Sequence, residues 1–129
     1  MSQMLLDKSA IDPRVVALAQ EIKAAQGPEI KQMKSWLSDW GQKSTGMSGM
    51  DMGGMLMSDG DMKSLQSSTG LAASKLFLTQ MTVHHTSALV MAKTEVDSGK
   101  YADAVKLAKN IISTQTTEIT KMSDILATL

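Results

Sequence analysis

Residues 16–37, VALAQEIKAAQGPEIKQMKSWL, decide the fold because they recur further along the chain as residues 105–126, VKLAKNIISTQTTEITKMSDIL. Nine positions are identical at a constant spacing of 89 residues, from Val16 and Val105 onwards. In both stretches apolar residues return every three or four positions, which is the period of an amphipathic helix. Two copies of a helix pair are the simplest account, and two pairs predict an all-α four-helix bundle.

Capping residues and glycines predict where the helices begin and end. Asp12 followed by Pro13 is a helix start, and Gly41 is a stop. Gly27-Pro28 predicts a kink or a local break within that helix. Ser58 or Asp59 is placed to cap a short helix, and Gly99 ends a longer one. The predicted helices cover about residues 13–40, 60–67, 71–98 and 101–128.

The repeat also divides the chain, which we expect to form one domain. Residues 1–41 are the later part of the first helix-pair repeat, residues 42–60 are a Met/Gly-rich loop, and residues 61–129 are the second repeat. Carried backwards, the spacing of the repeat matches Met91 to Met1 or Ser2. We therefore expect the first helix to be truncated, with a histidine pair and an export signal lost upstream.

Composition excludes several classes of function. The chain has 129 residues, with 13 basic and 13 acidic side chains and a formal charge of zero, so no basic surface for nucleic acid is expected. No apolar run approaches the roughly 20 residues of a membrane-spanning helix. Cysteine is absent, whereas methionine occurs 12 times. Thioethers and imidazoles are therefore the available soft metal ligands.

The two histidines of the chain are adjacent and follow a methionine by one helical turn. Met81, His84 and His85 share one side of the predicted helix. Continued at the same spacing, that side forms a core-facing stripe: Phe77, Met81, His84, Ala88, Met91 and Glu95. Imidazole suits copper, zinc, iron and nickel, and a thioether selects Cu(I). The alternative is that these residues are a hydrogen-bonded core histidine and ordinary core methionines.

Glu118 and Met122 lie one turn apart in the second repeat, as Glu29 and Met33 do in the first. The stripe around them predicts that Gln115 and Glu118 point inward. A buried carboxylate needs a partner. Glu118 is expected to orient a ligating histidine or, alternatively, to bind a buried lysine. Trp36 and Trp40 are expected to pack at the end of the bundle.

Methionines are concentrated in the glycine-rich loop and just after it. Glycine allows the backbone to gather several thioethers around one soft ion, Cu(I) or Ag(I), with Asp51 nearby. A linker with incidental methionines, or an adaptable apolar contact surface, is the alternative. The residues concerned are Met47, Met50, Met52, Met55, Met57 and Met62.

The pattern LFLTQM-x-x-HH-x-x-A-x-x-MA followed by LA-x-x-I-x-x-x-Q-x-x-EI-x-x-M, from Leu76 to Leu126, resembles the bacterial family known as domain of unknown function 305. Residues 1–41 resemble the later half of another copy. The resemblance implies an exported, ferritin-like four-helix bundle associated with copper binding and copper resistance. It implies Met81, His84, His85, Met91 and Met122 as the matching metal ligands.

We therefore expect a non-enzymatic copper-binding protein that scavenges, buffers or delivers copper in the periplasm or outside the cell. Cu(I) would favour the thioethers and Cu(II) the imidazoles. A homodimer could complete the truncated bundle. A helical interaction module without a metal role is the alternative. A ferritin-like di-iron enzyme is a weaker one, because neither histidine follows a glutamate by three residues.

Overall fold

The computed structural model describes residues 1–41 and 58–129, and these ranges contain helices and no strand. The predicted all-α bundle is confirmed. The five loop methionines from Met47 to Met57 lie outside the described residues. The helices are α1 (Ser2–Leu6), α2 (Pro13–Asp39), α3 (Asp59–Ser67), α4 (Gly70–Ser98) and α5 (Ala102–Ala127).

The helices begin and end at the predicted signals. The Asp12 side chain accepts a hydrogen bond from the backbone N–H of Arg14 at 2.9 Å, and α2 ends two residues before Gly41, whose φ is 68°. Ser58 and Asp61 form a capping box at the start of α3. The helix α2 runs through Gly27 and Pro28, so the predicted local break is confined to the one backbone hydrogen bond that Pro28 cannot donate. A proline removes only one backbone hydrogen bond, and the turns on either side maintain the helix.

The core lies at the end of the bundle where α1, α3 and the first halves of α2 and α4 meet the second half of α5. Phe77 of α4 is the largest fully buried side chain. It belongs to one apolar cluster contributed by all five helices: Leu5, Val15, Leu18, Ala19, Ile22, Leu65, Ala73, Phe77, Leu78, Met81 and Met122.

The two repeats are covered to different extents. The long helix α4 packs along α5, and Met122 of α5 is fully buried. The equivalent residue of α2, Met33, is 40% exposed. The buried residues of α2 all lie between Val15 and Ile22. The second half of α2 is therefore more open than its counterpart in α5.

The opposite end of the bundle carries an aromatic cluster. Trp36 and Trp40 stack with their ring centroids 6.4 Å apart. Tyr101, just before α5, meets both rings edge-on, at 5.5 and 5.1 Å. The two tryptophans therefore pack at one end of the bundle, as predicted.

The helices of residues 1–41 and 58–129 carry charged or polar side chains along their lengths. None of these helices is both long and apolar enough to cross a bilayer.

Candidate metal centre

His85 and Glu118 form a buried pair between α4 and α5. The Nε2 atom of His85 lies 2.7 Å from Oε2 of Glu118. His85 is fully buried and Glu118 is 5% exposed, so neither group can replace its partner with bulk water. Of the two partners expected for Glu118, histidine or lysine, the structure has the histidine.

The second ring nitrogen of His85 has no partner. Its Nδ1 atom is buried and makes no hydrogen bond within residues 1–41 and 58–129. In the neutral ring that donates Nε2–H to Glu118, Nδ1 carries a lone pair. A histidine whose other nitrogen is held by a carboxylate is the usual arrangement around a protein-bound metal. In that tautomer the unpartnered Nδ1 atom is the ring nitrogen available to a metal ion.

His84 offers a second imidazole beside the first. Its ring centroid lies 6.1 Å from that of His85, with the planes at 59°. Its Nδ1 atom is also buried without a partner among the described residues. Burial lowers the pKa of His84, and the nearby charges of His85 and the amino terminus lower it further. The neutral, ligating form of this ring is therefore favoured.

The buried side of α4 is centred on His85, so the predicted core-facing stripe is correct at Phe77 and Met81 and wrong at Met91. The side chains that α4 buries are Ala73, Ser74, Phe77, Leu78, Met81, His85 and Ala92. Met91 is 37% exposed, and Ala88 and Glu95 are half-buried. The reason is the position of α5, which meets α4 on the side of Thr82 and His85. His84 and Met91 are left on the flank.

The two thioethers predicted near the histidines are in the interior. Met81, one turn before His85, is 3% exposed, and Met122 is fully buried. The Sδ atom of Met122 lies 3.7 Å from the Thr82 hydroxyl of α4. Met62, grouped with the loop methionines by its position in the sequence, belongs to α3 and is half-buried.

Glu29 of α2 faces the pair and was not among the predicted site residues. Burial raises its pKa, the negative charge of Glu118 raises it further, and His85 partly offsets both. The half-buried Glu29 carboxylate of the first repeat is therefore influenced by the charges of the buried pair. Glu29 could have been identified from the repeat, because Glu29 lies 89 residues before Glu118 and is its counterpart.

A raised pKa means that the ionised Glu29 carboxylate costs stability in the folded protein. The associated stability is present at acid pH and is lost as the pH rises through the folded-state pKa. We expect Glu29→Gln to raise the free energy of unfolding near pH 7, by less than about 1 kcal/mol because the group is partly solvated, with little change near pH 4. Urea unfolding at both pH values measures this.

The matched control for this prediction is Glu21→Gln. Glu21 is exposed on the same helix and its carboxylate lies 2.6 Å from the Lys121 ammonium. Removing its charge should leave stability unchanged or slightly lower at neutral pH. If Glu29→Gln lowered stability at neutral pH as well, the repulsion between Glu29 and Glu118 would be refuted.

These groups do not form a closed metal cage by themselves. Within the described parts of the chain, no set of three or more His, Asp or Glu side chains is arranged to hold a metal ion. The donor atoms that the site offers are the two imidazole nitrogens and the neighbouring thioethers. That set suits a soft ion better than a hard one.

The fold and the buried histidine–carboxylate pair define a helical bundle with a polar centre, and the comparisons give its family. The chain belongs to the family described as domain of unknown function (DUF305), whose model matches residues 1–126. The predicted membership is thus confirmed. None of the curated proteins matches the chain.

Two solved structures are similar to this chain. A DUF305 protein of Streptomyces coelicolor, provisionally described as a secreted protein, has 30% sequence identity and a TM-score of 0.85. That match covers 98% of this chain and 79% of the Streptomyces chain. A DUF305 fragment from Deinococcus radiodurans has 28% identity and a TM-score of 0.83, and the match covers 99% of this chain and 84% of the fragment.

Proposed function

We propose that the protein binds copper, with His84, His85 and neighbouring thioethers as ligands, and acts as a copper scavenger, buffer or chaperone. The observation that carries the proposal is His85, which is fully buried, bonded through Nε2 to Glu118 and left with an unpartnered Nδ1. A buried acceptor without a partner costs about 1–3 kcal/mol. A bound metal ion would remove that cost.

The surrounding residues favour copper over a harder ion. Met81 and Met122 supply thioether sulfur atoms inside the same core. Thioethers bind Cu(I) and imidazoles accept either oxidation state of copper. Glu118 would act beside the metal rather than on it, because its Oε2 atom is already bonded to His85. The methionines at 47, 50, 52, 55 and 57 remain a predicted second, softer site.

An exported location is part of the proposal. The Streptomyces neighbour is provisionally described as secreted, and we extend that location to this chain. We propose no catalytic step, since the chemistry of the site requires only binding and release of the ion.

The decisive test is an anaerobic Cu(I) titration against a chromophoric chelator. We expect the double substitution His84→Ala with His85→Ala to weaken binding at the helical site by more than about 100-fold, since losing a residue beside the ligands alone costs about 10- to 100-fold. Met33→Leu is the matched control, because it removes an exposed thioether outside the core. Unchanged affinity in the double variant would refute the assignment.

A second variant distinguishes the copper bound by the loop methionines from the copper bound at the helical site. Replacing all five by leucine should reduce the number of copper ions bound and leave the tighter, histidine-dependent equivalent in place. Thermal unfolding gives an independent readout, because an ion at about 100 times its dissociation constant stabilises the folded state by about 2.7 kcal/mol. This stabilisation should vanish in the histidine variant and persist in the loop variant.

A further inference from the structure

The outer side of α4 is unusual for a surface helix because it carries no charge over its central turns. Between Lys75 and Lys93 the sequence contains no Asp, Glu, Lys or Arg. Val83 and Val90, two turns apart on the side opposite His85, are 56% and 57% exposed. We define the outer strip as Thr79, Val83, Thr86 and Val90. All four side chains are exposed in the single chain.

We propose that two copies of the chain pair through this outer strip, with their α4 helices antiparallel. An antiparallel pairing that places Val83 opposite the partner's Val90 brings the two strips together along their whole length. Thr79 then lies opposite the partner's Thr94. Because the strip carries no charge and exposes two valines, a second copy matches it better than a charged surface would.

The charges that flank the strip favour this antiparallel register. Lys75 precedes it and Asp97 follows it, and both are exposed on the same flank of α4. With Val83 opposite the partner's Val90, Lys75 approaches the partner's Asp97, and the two-fold axis repeats the contact at the other end. A parallel arrangement would instead place Lys75 beside its own copy. The charge pattern is therefore self-complementary in one direction only.

The same register has a consequence for the metal centre, and this step rests on the proposed copper function. His84 and Met91 lie on the other flank of α4, away from α5. Along the helix axis the partner's Met91 then lies at nearly the same level as His84, since the offset is two residues or about 3 Å. Because the Nδ1 atom of His84 is buried within its own chain, the partner's thioether is offered to the other ring nitrogen, Nε2.

The dimer is tested on the metal-free protein by light scattering after size exclusion, over a range of concentrations. We expect a mass of twice the 13.8 kDa of the chain. Val83→Glu with Val90→Glu should weaken the dimer by at least about 100-fold, because carboxylates of both copies would be buried face to face. Both sites are exposed, so helicity should be retained, and circular dichroism checks this. Leu71→Glu, at an exposed leucine of α4 outside the strip, is the matched control.

The register is tested by charge exchange. Lys75→Asp alone should weaken the dimer, and Lys75→Asp combined with Asp97→Lys should restore it. A monomeric wild-type protein at high concentration would overturn the proposal. So would a dimer that survives Val83→Glu with Val90→Glu, or a double exchange that fails to restore pairing.

The copper step has its own readout. Met91→Leu should lower copper affinity in the wild-type dimer and have no effect in the Val83→Glu, Val90→Glu monomer. Equal effects in both would overturn the contribution of the partner's Met91. A dimer that binds no copper would refute the proposed function and leave the pairing of the two copies supported by the mass and the charge exchange.

Discussion

Glu118→Ala should lower the free energy of unfolding by about 3 kcal/mol, which is a large share of the stability of a domain of this size. The substitution leaves the fully buried His85 without the carboxylate that its Nε2 atom contacts at 2.7 Å. Water cannot take the place of the carboxylate at a side chain with no exposed surface. Urea unfolding followed by circular dichroism measures the loss.

An exposed ion pair in the same bundle provides the control. The Lys121 ammonium and the Glu21 carboxylate lie 2.6 Å apart, with side chains 49% and 55% exposed. Glu21→Ala should change stability by less than about 1 kcal/mol, because such pairs are solvated in the unfolded and folded states alike. A similar loss in both variants would contradict the special role given to burial of the His85–Glu118 pair.

Phe77→Ala is expected to cost about 4 kcal/mol, because it removes the largest fully buried side chain from the common core. The residue lies where elements from both repeats meet, and only partial collapse of the surrounding helices can fill the space. Chemical denaturation again measures the change. Leu71→Ala, on the same helix but 51% exposed, should cost less than about 1 kcal/mol. A small effect of Phe77→Ala would mean that the core is looser than the burial of its residues indicates.

Much of the fold could be predicted from the sequence because its signals are local. Asp12, Ser58 and Gly41 act within one turn of their own positions, and the structure places helix ends beside them. The 89-residue repeat added the expectation of paired helices. At Pro28 the local rule gives the missing hydrogen bond but not the continuity of α2, which the flanking turns maintain.

The site was less accessible to prediction because it depends on where one helix lies against another. Neighbouring residues of a helix point about 100° apart, so the choice between His84 and His85 as the buried ring requires the position of α5. For the same reason Met91 was predicted to face the core, whereas it lies on the flank beside His84. Glu118 was identified as a buried carboxylate because an inward acid needs a partner whatever that partner is. Glu29 was overlooked because its environment comes from the opposite repeat.

The cluster of Trp36, Trp40 and Tyr101 determines what an optical experiment on this protein can report. The chain has only two tryptophans, and they stack on each other at the junction between the end of α2 and the start of α5. Intrinsic tryptophan emission is therefore a local probe of unfolding at that junction, which lies at the opposite end of the bundle from Phe77. Ellipticity at 222 nm averages over every helix. Coincident melting curves from the two signals would establish that the bundle unfolds as one cooperative unit.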